Sequence, residues 1–215
     1  MQYVSVRQMK KIDQNTVTYG MPIELMMENA GREICNQVLK KIKKSNTTKV
    51  LVIAGKGNNG GGVIAASRHL SSHGVSLKLV VLGTKNTLSD PSKLNLSLVR
   101  KNPKIQVICG LKNLNKILLE IENADLILDG IFGIGINRNI LEPYLSIISA
   151  INDSKAYVVS NDVPSGINAD SAKIYNVAIK SNYLVVLHKP KIWMLKIKPP
   201  KFIIVNIGIP IEIDI

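Results

Sequence analysis

Several features that would reveal a function class are scarce in this sequence of 215 residues. Aromatic residues make up 4% of it, so the stacking surfaces of single-strand nucleic acid binders are missing. The two cysteines, Cys35 and Cys109, have no C-x-x-C spacing and lie in apolar surroundings, which predicts buried thiols in a reducing cytoplasm. No run of about 18 apolar residues occurs, and the amino terminus lacks a signal-peptide core. Neither a membrane span nor export is therefore expected.

Acidic residues are also few, with 15 Asp and Glu against 28 Lys and Arg, and the net charge is +13. Such a balance would suit a polyanionic partner such as nucleic acid. The alternative is that lysines cover solvated faces, as residues 40–44 suggest, and without stacking residues we favour that interpretation. Nucleic acid is therefore not an expected partner. With 46% hydrophobic residues, the length indicates one globular domain over residues 1–215.

Strand and helix patterns alternate along the chain. The predicted strands are residues 50–54, 76–82, 105–109, 125–128, 156–160, 183–187 and 202–205. The predicted helices run from a capping box at Ser5 to near Gly20, and over residues 23–44, 60–73, 90–101, 113–123 and 141–152. This alternation predicts an α/β fold, a single Rossmann-like doubly wound domain with a mostly parallel sheet and helices on both faces.

The loop after the first strand reads GKGNNGGG over residues 55–62. Gly55, Gly57 and Gly60 spell the G-x-G-x-x-G of dinucleotide-binding dehydrogenases. The acidic residue expected about 20 positions later is missing, because no Asp or Glu occurs between Gly55 and Asp90. We therefore do not predict a dehydrogenase. Glycines before a helix still let backbone amides approach an anion, so a phosphate-binding loop is expected.

Polar side chains collect where strands end. Asp129 and Asp162 each follow an apolar strand, and each precedes a loop containing glycine. Acids there are costly unless they are paired, hydrogen-bonded or bound to a cation. Asn58 and Asn59 either offer oxygen ligands or simply tolerate a left-handed turn. Because such loops meet at one edge of a parallel sheet, we expect a shared site with a cation, a titrating acid, or both.

Motifs spread over nearly the whole chain resemble those of the NAD(P)H-hydrate epimerase family, a domain that also occurs fused to a hydrate dehydratase. They are LMMENAG at residues 25–31, GKGNNGG at 55–61, ASRHL at 66–70, DGIFGIG at 129–135, DVPSGINAD at 162–170, PK at 190–191 and NIGIP at 206–210. The resemblance implies a homodimeric isomerase that interconverts the R and S hydrates of NADH and NADPH. A separate dehydratase would act on the product.

The resemblance also implies site residues. One potassium ion per subunit would be bound by Asn59, Asp129 and Ser165, an all-oxygen set. The implied substrate contacts are Asn58, Asn59, Gly60, Gly61, Gly62, Gly133, Ile134, Gly135, Ile136, Asn137, Arg138, Asn139, Asp162 and Lys191. Asp162 is the general acid–base candidate, although an acid that merely holds the turn at Pro164 has the same signature. Lys191 would bind a diphosphate or aid proton transfer, or it is one more solvated lysine.

Two departures from the family pattern fall in the expected contacts. The family loop reads GNNGGDG, whereas Gly62 and Val63 stand here in place of its acid and last glycine, and a threonine is missing from the strand before Pro190. The alternative function is a non-catalytic nucleotide- or RNA-binding scaffold, since relatives of the domain occur in messenger-RNA decapping scaffolds. The apolar pattern of residues 23–44 is broader than one core stripe needs, so we expect a homodimer through the amino-terminal helices.

Overall fold

The structure, a computed structural model, describes residues 2–42 and 48–214, with only the backbone at position 85. It contains a sheet of seven parallel strands in the order β3-β2-β1-β4-β5-β6-β7. The strands are Val50–Ala54 (β1), Leu77–Val81 (β2), Ile105–Cys109 (β3), Leu126–Gly130 (β4), Tyr157–Asn161 (β5), Tyr183–Leu187 (β6) and Lys201–Val205 (β7). The α-helices are Val6–Tyr19 (α1), Ile23–Leu39 (α2), Asn58–Ser72 (α3), Asp90–Arg100 (α4), Leu114–Glu122 (α5) and Tyr144–Asp153 (α6).

Helices cover both faces of the sheet. All five residues of β1 are buried, and they alternate between two cores. Val50, Val52 and Ala54 pack with apolar residues of α1 to α4, whereas Leu51 and Ile53 pack with those of α5 and α6. A strand buried on both faces needs an unbroken apolar sequence, which is what residues 50–54 show. The predicted doubly wound α/β fold is confirmed, with every strand pair parallel.

Helix α1 follows the local signals in the sequence. The Ser5 hydroxyl accepts from the Gln8 N–H while the Gln8 side chain accepts from the Ser5 N–H, which forms the predicted capping box. Gly20 ends the helix in a left-handed conformation at φ +108°. The chain start is tied down near β6, since the Val4 N–H donates to the Pro190 carbonyl at 2.9 Å. This contact fixes where α1 lies relative to the sheet.

Some predicted boundaries were wrong. Helix α2 ends at Leu39, and its predicted end at Lys44 lies outside the described residues. Helix α3 begins at Asn58, so residues 58–62 form its first turns rather than a loop. Strand β4 extends to Gly130 and therefore includes Asp129. Cys35 is buried as predicted, but Cys109 is only half-buried. Among the described residues, no helix is long and apolar enough to cross a membrane.

Candidate active site

A cavity of about 760 Å³ lies at the carboxyl ends of the central strands. Strand β1 pairs with both β2 and β4, so the chain diverges to either side there, as at the ligand crevices of open α/β sheets. The volume lies in the range of small-molecule and cofactor sites. Eleven of the residues predicted from the sequence as ligand contacts line this cavity: Asn58, Asn59, Gly62, Gly133, Ile134, Gly135, Ile136, Asn137, Arg138, Asp162 and Lys191.

Gly60, Gly61 and Asn139 do not line the cavity. The two glycines instead allow close packing at the start of α3. A Cβ at Gly60 would lie 2.2 Å from the Gly55 carbonyl oxygen, and one at Gly61 would lie 2.4 Å from Cε of Met27. Both distances are far below contact distance, so a side chain at position 60 would displace the backbone at Gly55, and one at position 61 would push the Met27 side chain aside. These glycines therefore position the first turn of α3 under the cavity.

Asp129 lies in β4 at a sealed site beside the cavity, with 0% of it exposed. Its carboxylate accepts four hydrogen bonds, from the Ser160 hydroxyl (2.9 Å), the Ser165 hydroxyl (2.6 Å), the Ser165 N–H (3.0 Å) and the Ile131 N–H (3.1 Å). Burial raises the pKa of Asp129, and these hydrogen bonds act in the opposite direction. A cation nearby would compensate the same buried charge.

Asn59 reaches this cluster through the backbone of Phe132. The Phe132 carbonyl accepts from the Asn59 side-chain amide at 2.8 Å, and the Phe132 N–H donates to the Ser165 hydroxyl at 2.8 Å. The Asn59 side-chain oxygen accepts from the amide of Asn161 at 3.0 Å. Gly133 permits this approach, because a Cβ there would lie 3.0 Å from the Cβ of Asn59. The three residues predicted to bind a cation thus share one neighbourhood, with Asn59 and Ser165 joined through Phe132.

Asp162 follows β5 and faces the cavity. Its φ of +63° turns the chain out of the strand, a conformation that aspartate tolerates better than most residues. One carboxylate oxygen accepts from the Leu187 N–H at 2.9 Å and from the Lys191 ammonium. Lys191 is only 1% exposed and also donates to the Leu187 carbonyl at 3.0 Å. Lys191 is therefore not a solvated lysine but a buried partner of Asp162.

Helix α1 also contributes to the cavity, which was not predicted from the sequence. Met9, Lys10 and Asp13 line the cavity, and Asp13 lies four residues after Met9 and three after Lys10, so it neighbours both on the surface of the helix. Burial, followed by the neighbouring Asp162 charge, raises the pKa of Asp13 to about 6, while Lys191 acts in the opposite direction. The signal was available in the sequence, because a carboxylate on the apolar face of an amphipathic helix is unusual.

The remaining walls are apolar with a basic rim. Met26, Met27, Phe132 and Tyr144 line the cavity, and the rings of Phe132 and Tyr144 lie 5.2 Å apart. The Tyr144 hydroxyl donates to the Leu82 carbonyl at 3.0 Å, which fixes its ring. Three exposed basic side chains, Lys10, Lys56 and Arg138, also line the opening. Flat rings and cationic groups suit a ligand with both planar and anionic parts.

Comparison with known proteins shows which family the chain resembles. The family described as YjeF-related protein N-terminus matches residues 23–192. The chain is 31% identical over 215 residues to the NAD(P)H-hydrate epimerase of Nitrosopumilus maritimus (strain SCM1), covering 98% of this chain and 97% of the relative. It is 33% identical over 212 residues to the bifunctional NAD(P)H-hydrate repair enzyme Nnr of Archaeoglobus fulgidus, covering 98% of this chain but 42% of that protein.

Among solved structures, that of yeast ynu0, YNL200c, superposes with a TM-score of 0.83 at 23% sequence identity. The superposition covers 96% of this chain and 88% of the yeast chain, and it shows that the two share a fold. The match to the family over residues 23–192, together with relatives aligned over nearly their full length, establishes the relationship. The chain belongs to the NAD(P)H-hydrate epimerase family, whose domain is described as YjeF-related protein N-terminus.

Proposed function

We propose that this protein is an isomerase that interconverts the R and S epimers of hydrated NADH and NADPH. The observation that carries the proposal is the Asp162–Lys191 pair, buried at the floor of a cofactor-sized cavity in a chain that aligns end to end with named epimerases. The relatives' names are those of enzymes, which favours catalysis over the non-catalytic scaffold. Residues 1–215 would form one epimerase-like domain.

Epimerisation by loss and re-addition of water requires a proton to be given to the departing hydroxyl and one to be removed from the incoming water. Asp162 is the candidate for this transfer, because its carboxylate faces the cavity and a second, buried group holds it in place. Lys191 would keep that carboxylate oriented rather than bind a diphosphate, since its ammonium is already engaged by Asp162 and Leu187.

The nucleotide part of the substrate would lie over the start of α3. Backbone N–H groups at a helix amino terminus attract phosphate, and Gly57, Asn58 and Asn59 line the cavity there. Lys56 and Arg138 would add mobile positive charge at the rim. The Phe132 and Tyr144 rings, tilted by 41° to each other, offer apolar faces for a base or for the reduced nicotinamide ring.

Potassium fits the residues at the sealed site. Asn59, Asp129 and Ser165, together with the Phe132 carbonyl, provide amide, carboxylate, hydroxyl and carbonyl oxygens, the ligands that hard cations prefer. Asp129 is a buried carboxylate with no ion-pair partner among residues 2–42 and 48–214, and a bound cation would balance its charge. When bound, the ion would supply fixed positive charge between the loops that follow β4 and β5.

Assembly and location complete the proposal. Val17, Tyr19 and Leu25 are exposed apolar residues on α1 and α2, which supports a homodimer through the amino-terminal helices. A dehydratase would consume the product, because one relative is a bifunctional NAD(P)H-hydrate repair enzyme. We place the protein in the cytoplasm, where these cofactors are used.

The direct test is the rate at which purified protein converts R-NADPH hydrate to the S epimer, followed chromatographically and compared with the spontaneous rate. We expect acceleration that is lost in Asp162→Asn and kept in Asp153→Asn, which removes an exposed carboxylate at the end of α6. Hydrate binding without acceleration would instead support the scaffold. Salt-sensitive binding of single-stranded RNA without hydrate binding would support its RNA-binding form.

A further inference from the structure

Asp13 is a carboxylate in the cavity whose role the proposed function leaves open. It lies on α1, outside the residues 23–192 that match the family. The bridge from Val4 to Pro190 and Ile192 holds the start of α1 beside the segment that carries Lys191. Asp13 therefore enters the cavity from the helical wall, while Asp162 enters from the end of β5.

The two carboxyl groups have opposite environments. Asp162 is tied to the Lys191 ammonium and the Leu187 N–H. Asp13 is half-buried and makes no hydrogen bond or ion pair with any described residue. Its pKa rises to about 6, because burial and the Asp162 charge both disfavour its ionised form. When two carboxyl groups in one site differ in this way, the paired one suits a base and the unpaired one an acid.

We propose that Asp13 is a second proton-transfer residue of the cavity, acting as the acid while Asp162 acts as the base. The inference rests on the proposed epimerase function and extends its chemistry to α1. The other charged groups that line the cavity are all cationic, namely Lys10, Lys56, Arg138 and Lys191. Asp13 is thus the remaining carboxyl group of the described cavity that can carry a proton to the substrate.

The chemistry balances with one proton shared between the two carboxyls. Asp13 gives its proton to the substrate hydroxyl as the C–O bond breaks, and the electron pair leaves with the oxygen as water. The ring nitrogen supplies the pair that closes a C=N bond. A water molecule then adds to the other face of the carbon, the C=N pair returns to nitrogen, and the Asp162 carboxylate takes the proton that this water loses. Exchange with solvent resets the two carboxyls, and the reverse direction exchanges their roles.

The experiment measures the catalysed R-to-S rate from pH 5 to pH 9, with the spontaneous rate subtracted at each pH. Wild type is expected to lose about tenfold in rate per pH unit once Asp13 is ionised, well above its pKa of about 6. Asp13→Asn should lower the rate by about 10²–10⁴-fold and abolish that inflection. Asp13→Glu should restore part of both, and Asp153→Asn should change neither.

The outcomes separate the two proposals. If wild type adds nothing to the spontaneous rate, the epimerase function is wrong. If wild type is active and Asp13→Asn keeps its rate and its inflection, only the assignment of Asp13 is overturned. A carbon-13 titration of the Asp13 carboxyl in wild type needs no variant: a midpoint near 6 supports the inference, and one near 4 overturns it.

Discussion

Asp129 and Asp162 occupy similar positions in the sequence but different environments in the fold. Both stand at the carboxyl ends of neighbouring parallel strands. Asp129 lies within β4, is wholly buried, and has both oxygens occupied by four donors. Asp162 lies one residue beyond β5, turns at φ +63°, and faces the cavity with one oxygen paired to Lys191.

The difference shows how backbone conformation separates two roles that the sequence presents alike. A strand residue at the position of Asp129 directs its side chain into the protein, where loop donors saturate it. A residue just past the strand end can turn outward, so its carboxylate meets a ligand. We therefore expect changes at Asp129 to appear mainly in stability and cation binding, and changes at Asp162 mainly in rate.

The largest effect is expected for Asp162→Asn. Asparagine keeps the shape and can still accept from Lys191, but it neither takes nor gives a proton at the pH of the reaction. The catalysed rate should fall by about 10²–10⁴-fold, while the Kd for the hydrate changes little. Rate measurements with saturating hydrate and a separate binding titration distinguish the two. An active Asp162→Asn would mean that Asp162 only holds the turn at Pro164.

Asp129→Ala tests what the buried Asp129 carboxylate contributes to stability and to cation binding. Its removal leaves the Ser160 and Ser165 hydroxyls and two backbone N–H groups without their acceptor, and we expect a loss of about 2–4 kcal/mol in the free energy of unfolding. Ser160→Ala removes one of the four donors and should cost about 1 kcal/mol. Potassium chloride should raise the unfolding temperature of wild type above that in an equal concentration of a bulky organic cation. Equal stabilisation of Asp129→Ala by potassium would contradict the cation site.

The fold was predictable because its signals are local or periodic. The apolar run of residues 50–54 and the capping box at Ser5 specify a buried strand and a helix start without reference to distant residues. The start of α3 could not be predicted in the same way, because it depends on close packing of Gly60 against Gly55 and of Gly61 against Met27 of α2. Those contacts form only once the chain has folded.

The site was predictable where a loop carries its own pattern. The motifs at the carboxyl ends of β1, β4 and β5 predicted Asn59, Asp129 and Asp162, and the parallel sheet brings those strand ends together. Asp13 was missed although its place on the apolar face of α1 is visible in the sequence, and its proximity to Asp162 and Lys191, which are far away in the sequence, is visible only in the fold. The sequence could not decide whether Lys191 is solvated or part of the site, because its burial depends on pairing with Asp162, 29 positions away.

Asp13→Asn should affect stability in a pH-dependent way. The folded-state pKa of Asp13 is raised from 3.8 to about 6, so ionisation opposes folding. Below about pH 4 the carboxyl is neutral in both states and the variant should match wild type. The neutral carboxyl's contribution to stability is lost in wild type as the pH rises through about 6. Above that pH the variant should be more stable than wild type by up to about 2 kcal/mol. Urea unfolding at pH 4 and pH 8 measures the difference.

Asp90→Asn is the matched control with the opposite sign. Asp90 is exposed, and its hydrogen bond with Lys93 lowers its pKa. The stability from that pair is present above the unfolded pKa and is lost as the pH falls, so the variant should be slightly less stable at pH 8. An Asp13→Asn variant that behaves like Asp90→Asn would show that Asp13 is not an unpaired buried carboxyl.

The smallest effect is expected for Gly62→Asp, which introduces a carboxylate where the family loop has its acid. Gly62 lies early in α3, and a Cβ there would meet the Asn161 amide nitrogen at 3.3 Å and Cδ1 of Ile34 at 3.6 Å, so a Cβ enters with a small adjustment. Replacing a helical glycine and adding negative charge near a helix amino terminus should together add about 0.5–1 kcal/mol to the free energy of unfolding. The new carboxylate can accept from Asn161, whose amide now orients Asn59. We expect hydrate binding between unchanged and about tenfold tighter, since tenfold corresponds to about 1.4 kcal/mol.

Gly62→Ala gives the helix contribution alone, so a tighter Kd in Gly62→Asp than in Gly62→Ala assigns the gain to the carboxylate. Weaker binding in Gly62→Asp than in Gly62→Ala would mean that this wall of the cavity excludes a third acid.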